Sequence, residues 1–134
     1  MAIEWRKSYE VGVEKIDTQH KELFLKINNL LEACSARKGK EEVLNTIDFL
    51  GDYVITHFSD EEKLQRDNDY PEYKNHKAAH ENFIKDYKKL KERMEEEGVS
   101  VNFIVSVNKV VVDWLINHIA TADKAVGAFL KSKV

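Results

Sequence analysis

Proline occurs once in this chain, at Pro71, and cysteine once, at Cys34; only five glycines accompany them in 134 residues. So few breakers leave room for long uninterrupted helices and argue against many short strands and turns. A lone cysteine excludes an intrachain disulfide and fits a reducing, cytoplasmic setting. Its spacing puts Cys34 on an apolar stripe, where a buried structural thiol is expected. No sign of charge dominates: 21 cations face 24 anions, for a net charge of -3. That excludes the basic footprint of a nucleic-acid binder. The run Lys85 to Arg93 is diluted by Asp86 and Glu92 and reads as a solvated helix face. No stretch approaches the ~20 apolar residues of a membrane span. The first residues show no cationic segment followed by an apolar one, so no secretory signal is expected. What remains is enough chain for one domain, 1–134, with a single core.

Apolar residues recur at steps of three and four along four segments. The first helix, 18–37, carries Leu23, Phe24, Ile27, Leu30, Leu31 and Cys34 inward, with Asp17 or Thr18 as its cap. The second, 41–66, follows a break at Gly39 and carries Val43, Ile47, Leu50, Val54 and Leu64. The third, 71–96, has Pro71 at its start and presents Tyr73, Phe83, Tyr87, Leu90 and Met94. Gly98 closes it, and Ser100 can cap the fourth, 100–119, with Val101, Ile104, Val107, Val111, Trp114 and Leu115. By propensity Val110-Val111-Val112 suits a strand, but period and length favour helix. A short C-terminal helix over 121–131 follows. Residues 1–16 form an N-terminal arm, anchored on the bundle by Trp5. Short links make successive helices antiparallel, so the expected fold is all-α, an up-down-up-down four-helix bundle.

All five histidines fall into one pattern on that scaffold: His20, His57, His76, His80 and His118. Glu61 lies four residues after His57, His80 four after His76, and Asp123 five after His118. Residues four apart share a helix face. His20 lies near the start of the first helix, His57 and Glu61 near the end of the second, His76 and His80 near the start of the third, and His118 and Asp123 at the end of the fourth. In an up-down bundle those four places share one end. His57, Glu61, His76, His80 and His118 also sit on the apolar stripes.

A lone histidine on an apolar face is usually a core residue, and HxxxH alone is weak. Five imidazoles and two carboxylates turned into one layer are different. Without a metal they carry a large desolvation penalty, and no lysine or arginine lies on the inward stripes to offset the carboxylates. Seven donors exceed tetrahedral zinc and one octahedral ion; two ions sharing bridging carboxylates fit. Imidazole with carboxylate suits iron as well as zinc or copper, and ligands alone leave zinc or manganese open.

The segments Ile16-Asp17-Thr18-Gln19-His20, His57-Phe58-Ser59-Asp60-Glu61-Glu62, Tyr70-Pro71, His76-Lys77-Ala78-Ala79-His80 and Trp114-Leu115-Ile116-Asn117-His118-Ile119 with Asp123 resemble the hemerythrin family, in particular its bacterial single-domain members. The resemblance spans essentially the whole chain in the family's order. It implies a non-haem di-iron centre that binds O2 reversibly. His76, His80 and His118 would bind one iron, His20 and His57 the other. Glu61 and Asp123 would bridge them, with an oxo or hydroxo group as third bridge and the open position on the two-histidine iron. It also implies an O2 pocket of Leu23, Phe58, Trp114, Leu115 and Ile119. Gln65 departs from the family, which commonly has methionine or leucine there. The five-residue step to Asp123 implies that the fourth helix ends, widens or bends between His118 and Asp123.

Two classes of function follow. One is an O2-binding protein for storage, transport or delivery, with an O2-consuming enzyme or a reductase as partner and a monomeric or weakly oligomeric state. The other is a di-iron oxidase or peroxidase. Oxygen-activating ferritin-like proteins use carboxylate-rich sites, whereas five of the seven donors here are neutral, which favours O2 binding without turnover. An O2 or redox sensor needs a signalling domain, for which 134 residues leave no room.

Overall fold

The computed structural model describes residues 3–36 and 39–133, and its secondary structure there is helical throughout. Met1 and Ala2 of the expected arm and Arg37 at the expected end of the first helix lie outside those residues. Helix α1 spans Glu14–Ser35, α2 Lys40–Asp67 and α3 Tyr73–Glu97. A fourth helical run, Val101–Ser132, is continuous. It consists of α4 (Val101–Val107), a π-helical stretch Asn108–Asp113, α5 (Trp114–His118), a second π-helical stretch Ile119–Asp123, and α6 (Lys124–Ser132). Cross-helix contacts fix the directions. Gln19 meets Asp60 while Lys26 lies over Tyr53, so α1 and α2 are antiparallel. Glu62 meets His80 while Ile47 meets Tyr87, so α2 and α3 are antiparallel. His118 meets His80 while Ser106 meets Arg93, so the fourth run reverses again. This is the up-down-up-down four-helix bundle that the spacing implies.

Local chemistry sets the boundaries. Helix α1 begins at Glu14, a turn earlier than the expected cap at Asp17 or Thr18. Asp17 is spent instead on the arm: its carboxylate accepts the backbone N–H groups of Val11 at 2.8 Å and Gly12 at 3.2 Å. Pro71 stands in the turn before α3, not in its first turn; Tyr73 N–H closes onto the Tyr70 carbonyl at 3.1 Å. Ser100 does cap α4, its Oγ accepting from Phe103 N–H at 3.0 Å, which satisfies one of the orphan donors of a helix start.

The arm crosses the site end of the bundle. Asn28 clamps Ile3 through both its amide N–H and its carbonyl. Trp5 packs edge-on against Phe24, with centroids 5.3 Å apart. Gly127 lets the Val11 carbonyl lie directly on α6, where any Cβ would collide with it.

The Val101–Ser132 run corrects one expectation. No break separates a fourth from a fifth helix. The run is also long and apolar enough to cross a membrane by length and composition, with a mean hydropathy of 1.3 over its best window. Its Phe103, Val107, Val111 and Leu115 are buried against the other helices, the disposition of a core helix.

The core divides along the bundle axis. Away from the histidines it is apolar: Leu30, Val43, Ile47, Leu50, Met94, Phe103 and Val107 are all fully buried. Each large side chain removed from water there contributes about 1.5–3 kcal/mol. The other end holds polar groups.

Candidate metal centre

Eight polar or charged side chains are buried among the described residues: His20, His57, Glu61, Gln65, His76, His80, His118 and Asp123. The seven metal ligands expected from the sequence are all brought together, none more than 8 % exposed. They come from four helical runs. His20 lies on α1, His57 and Glu61 on α2, and His76 and His80 on α3. His118 ends α5, and Asp123 ends the second π-helical stretch.

That stretch explains the five-residue step. A π-helix bonds residue i to i+5, so it stacks side chains five apart on one face. Asp123 Oδ1 accordingly lies 3.2 Å from His118 Nε2. Of the alternatives raised by the spacing, the helix widens. It does not end there.

The two carboxylates divide the histidines into two groups. Glu61 Oε1 lies 2.7 Å from His76 Nε2 and 3.8 Å from His80 Nε2, while its Oε2 lies 3.2 Å from His57 Nε2 and 4.0 Å from His20 Nε2. Asp123 Oδ1 faces His76 at 3.0 Å as well as His118, and its Oδ2 faces His20 at 3.0 Å. One group is therefore Glu61, His76, His80, His118 and Asp123; the other is His20, His57, Glu61 and Asp123. Within each, the donor atoms lie within 4.8 Å of one another. Donors about 2.1 Å from a shared ion lie at most about 4.2 Å apart, so little contraction around a cation is needed.

The polar bookkeeping favours cations. His76 Nε2 and His118 Nε2 stand 2.9 Å apart, and His80 Nε2 and His118 Nε2 3.1 Å. Three ring nitrogens aimed at one point cannot all be satisfied by one another's single protons. Both nitrogens of His20, Glu61 Oε2 and Asp123 Oδ1 are buried with no hydrogen bond in line, although His20 Nε2 sits close to Asp123. Buried polar atoms without partners are rare and call for an explanation. Lone pairs awaiting a metal supply one.

Outer partners select the tautomers. His57 Nδ1–H donates to Gln19 Oε1 at 2.7 Å, and Gln19 Nε2–H donates to Asp60 Oδ2 at 2.8 Å. His80 Nδ1–H donates to Glu62 Oε2 at 2.9 Å. With each Nδ1 holding the proton, Nε2 presents its lone pair to the cluster. Gln19, Asp60 and Glu62 stand within the motif segments, yet their roles escape sequence reading because the Gln19 and Glu62 contacts cross between helices.

Charge follows burial and neighbours. Burial holds His57 down to about 4. Burial, then the nearby His76 and His118, holds His80 down to about 2. Burial, then the Asp123 charge, pushes Glu61 up to about 8. Burial opposes charge on His76, but its bonds to Asp123 and Glu61 prevail and raise it to about 9. Burial also opposes charge on Asp123, but the close approach of Glu61, His118, His20 and His76 holds it well below the carboxylate range. Metal-free, the cluster keeps protons on Glu61 and His76 near neutrality, and a metal must displace them.

The expected pocket residues are inward. Leu23, Phe58, Leu115 and Ile119 are buried and Trp114 is half-buried. Phe58 stacks flat on His80 at 3.8 Å and Trp114 on His118 at 4.4 Å, so these two rings cover the three-histidine group. Gln65 also turns inward, but beside Glu61 Oε1, the oxygen facing that same group.

Fold and donors together define a helical-bundle metal-binding protein with a histidine–carboxylate cluster. The family model for the hemerythrin HHE cation binding domain matches residues 11–130, and the chain belongs to the hemerythrin family. It is 29 % identical over 120 residues to a myohemerythrin of Theromyzon tessulatum, covering 90 % of this chain and 87 % of that one. It is 32 % identical over 116 residues to a bacteriohemerythrin of Methylococcus capsulatus (87 % and 86 % covered) and 33 % over 124 to one of Pseudomonas aeruginosa (89 % and 75 %). The structure superimposes on a crystal structure of wild-type hemerythrin with a TM-score of 0.84 at 29 % identity, covering 96 % of this chain and 97 % of that one.

Proposed function

We propose that this protein binds O2 reversibly at a di-iron centre, as an oxygen store, carrier or delivery protein. One observation carries the reading: two donor groups share both carboxylates, each of which turns one oxygen to each group. His76, His80 and His118 would hold one iron, His20 and His57 the other, and Glu61 and Asp123 would serve both. When bound, the pair supplies a coordination position that accepts and returns O2, on the group with fewer donors. The chain's own residues prepare both donor groups. Gln19 and Glu62 keep the His57 and His80 lone pairs aimed inward. Phe58 and Trp114 cover the rings of His80 and His118 and exclude water, which keeps the cluster's interactions strong. Five neutral donors against two carboxylates favour binding over oxidative turnover. Cys34, a buried free thiol, fits a reducing, cytoplasmic setting.

The test begins with anaerobic loading by Fe(II) and an iron count per chain. Air is then admitted and removed. A visible band that appears and disappears with O2 at two irons per chain supports the reading. Continuous O2 consumption with a reductant and no persistent band would instead make the protein an oxidase.

A further inference from the structure

Seven of the eight buried polar side chains are accounted for as metal donors; the eighth is Gln65. It is fully buried, one helical turn beyond Glu61 on α2. Its Nε2–H points at Glu61 Oε1, a long contact at 3.4 Å. Its Oε1 is buried with no hydrogen-bond partner in the protein. The turn after α2 does not use it either: Tyr70 N–H bonds the backbone carbonyl of Gln65 at 3.0 Å, leaving the side chain free. A buried amide half satisfied by protein costs free energy that an apolar side chain of the same length would not.

Beside it lies a surface pocket of about 370 Å³, lined by Gln65, Arg66, Asp69, Tyr70 and Tyr73. Arg66 and Asp69 are exposed and the two tyrosines half-buried, so Gln65 is its deepest member. Polar groups stand in its wall: Arg66 donates to the Tyr73 hydroxyl at 3.1 Å. The rings of Phe58 and Trp114 cover the same three-histidine group at His80 and His118, leaving its Glu61 edge to Gln65.

We infer that Gln65 is the inner end of a polar inlet, its side-chain carbonyl holding a water-sized hydrogen-bond donor that enters from solvent through this pocket and reaches Glu61. A water there makes good the open hydrogen bond, and the Gln65 N–H carries the contact on to the carboxylate. The inlet admits water and molecules of like size and chemistry to the three-histidine side of the cluster. It rests on the metal-centre reading for its functional consequence: water at Glu61 shortens the life of the oxygenated protein.

Two measurements test it. The first is a high-resolution crystal structure of the metal-free protein, which needs neither iron nor a variant. Ordered solvent within hydrogen-bond distance of Gln65 Oε1, continuous with the pocket, is expected; an anhydrous Oε1 overturns the inlet. The second compares the decay of the oxygenated band in air for the wild type with Gln65→Met and Gln65→Leu, each confirmed to hold two irons per chain. Decay slower by about tenfold is expected, the lower end of what outer-shell changes do at metal sites. Unchanged or faster decay overturns it. Failure of the wild type to load two irons would strike the di-iron reading, while the metal-free crystal would still decide Gln65.

Discussion

The two ends of this bundle are built from the same four helical runs and do opposite work. At one end Leu30, Val43, Ile47, Leu50, Met94 and Phe103 close an apolar core with no charged side chain buried among the described residues there, and its buried Tyr87 hydroxyl is satisfied by the Ile47 carbonyl. At the other, the same helices, with Asp123 on the fourth run, turn five histidines, two carboxylates and an amide into the interior. The first arrangement lowers the free energy of folding by burial. The second raises it until something neutralises the carboxylates. Stability is thus concentrated where there is no chemistry, and the chemistry sits where the scaffold tolerates a cost.

The sharpest break in that contrast is Glu61→Ala. Both donor groups use this carboxylate, so metal content should fall from two irons per chain to below one, read by iron assay on reconstituted protein. The mirror experiment is Leu50→Ala at the apolar end. A cavity there should cost about 2–5 kcal/mol in chemical denaturation while the iron count stays at two. Loss of iron in Leu50→Ala, or its retention in Glu61→Ala, would show that the ends are not separable.

The contrast sharpens with pH. Glu61 rises from an ordinary 4.5 to about 8 and His76 from 6.5 to about 9 in the folded metal-free protein. The folded state therefore holds protons that the unfolded chain has already released. That stabilisation is complete below the unfolded values and is lost as pH climbs through the folded ones. Between pH 6.5 and 9 the metal-free protein should therefore lose stability steadily. His57 and His80 act with the opposite sign: held at about 4 and about 2, they cost stability as pH falls below 6.5. Metal-loaded protein, its donors already deprotonated, should lack the alkaline decline; denaturant titrations at stepped pH, with and without metal, compare the two.

The smallest effect belongs to the outer partners. Gln19→Leu removes the acceptor of the His57 Nδ1 proton and should weaken metal binding about tenfold, measured by chelator competition. The fold should be untouched, because Gln19 makes no contribution to the apolar core.

How far the sequence announces all this differs between the two ends as well. The apolar stripes of α1, α2 and α3 follow from steps of three and four, since burial obeys helical period. The convergence of the histidines follows from the same period together with antiparallel topology. The five-residue gap between His118 and Asp123 announces a departure from the α-helix, and the second π-helical stretch is its form. The first, Asn108–Asp113, joins no pair of donors, so no spacing betrays it. The early start of α1 escapes for a related reason. Asp17 has the chemistry of a cap, and only the arm folding back onto it shows that its carboxylate serves Val11 and Gly12. The bridges from Gln19 to His57 and from Glu62 to His80 join different helices, where sequence distance says nothing about contact.

In the proposed di-iron centre Glu61 and Asp123 each serve two metal ions at once. An anomalous-difference map from a crystal of iron-loaded protein measures this directly. Two iron peaks are predicted, one among His76, His80 and His118 and one beside His20 and His57, with an oxygen of each carboxylate on either iron. A single peak, or two with either carboxylate confined to one of them, would contradict it.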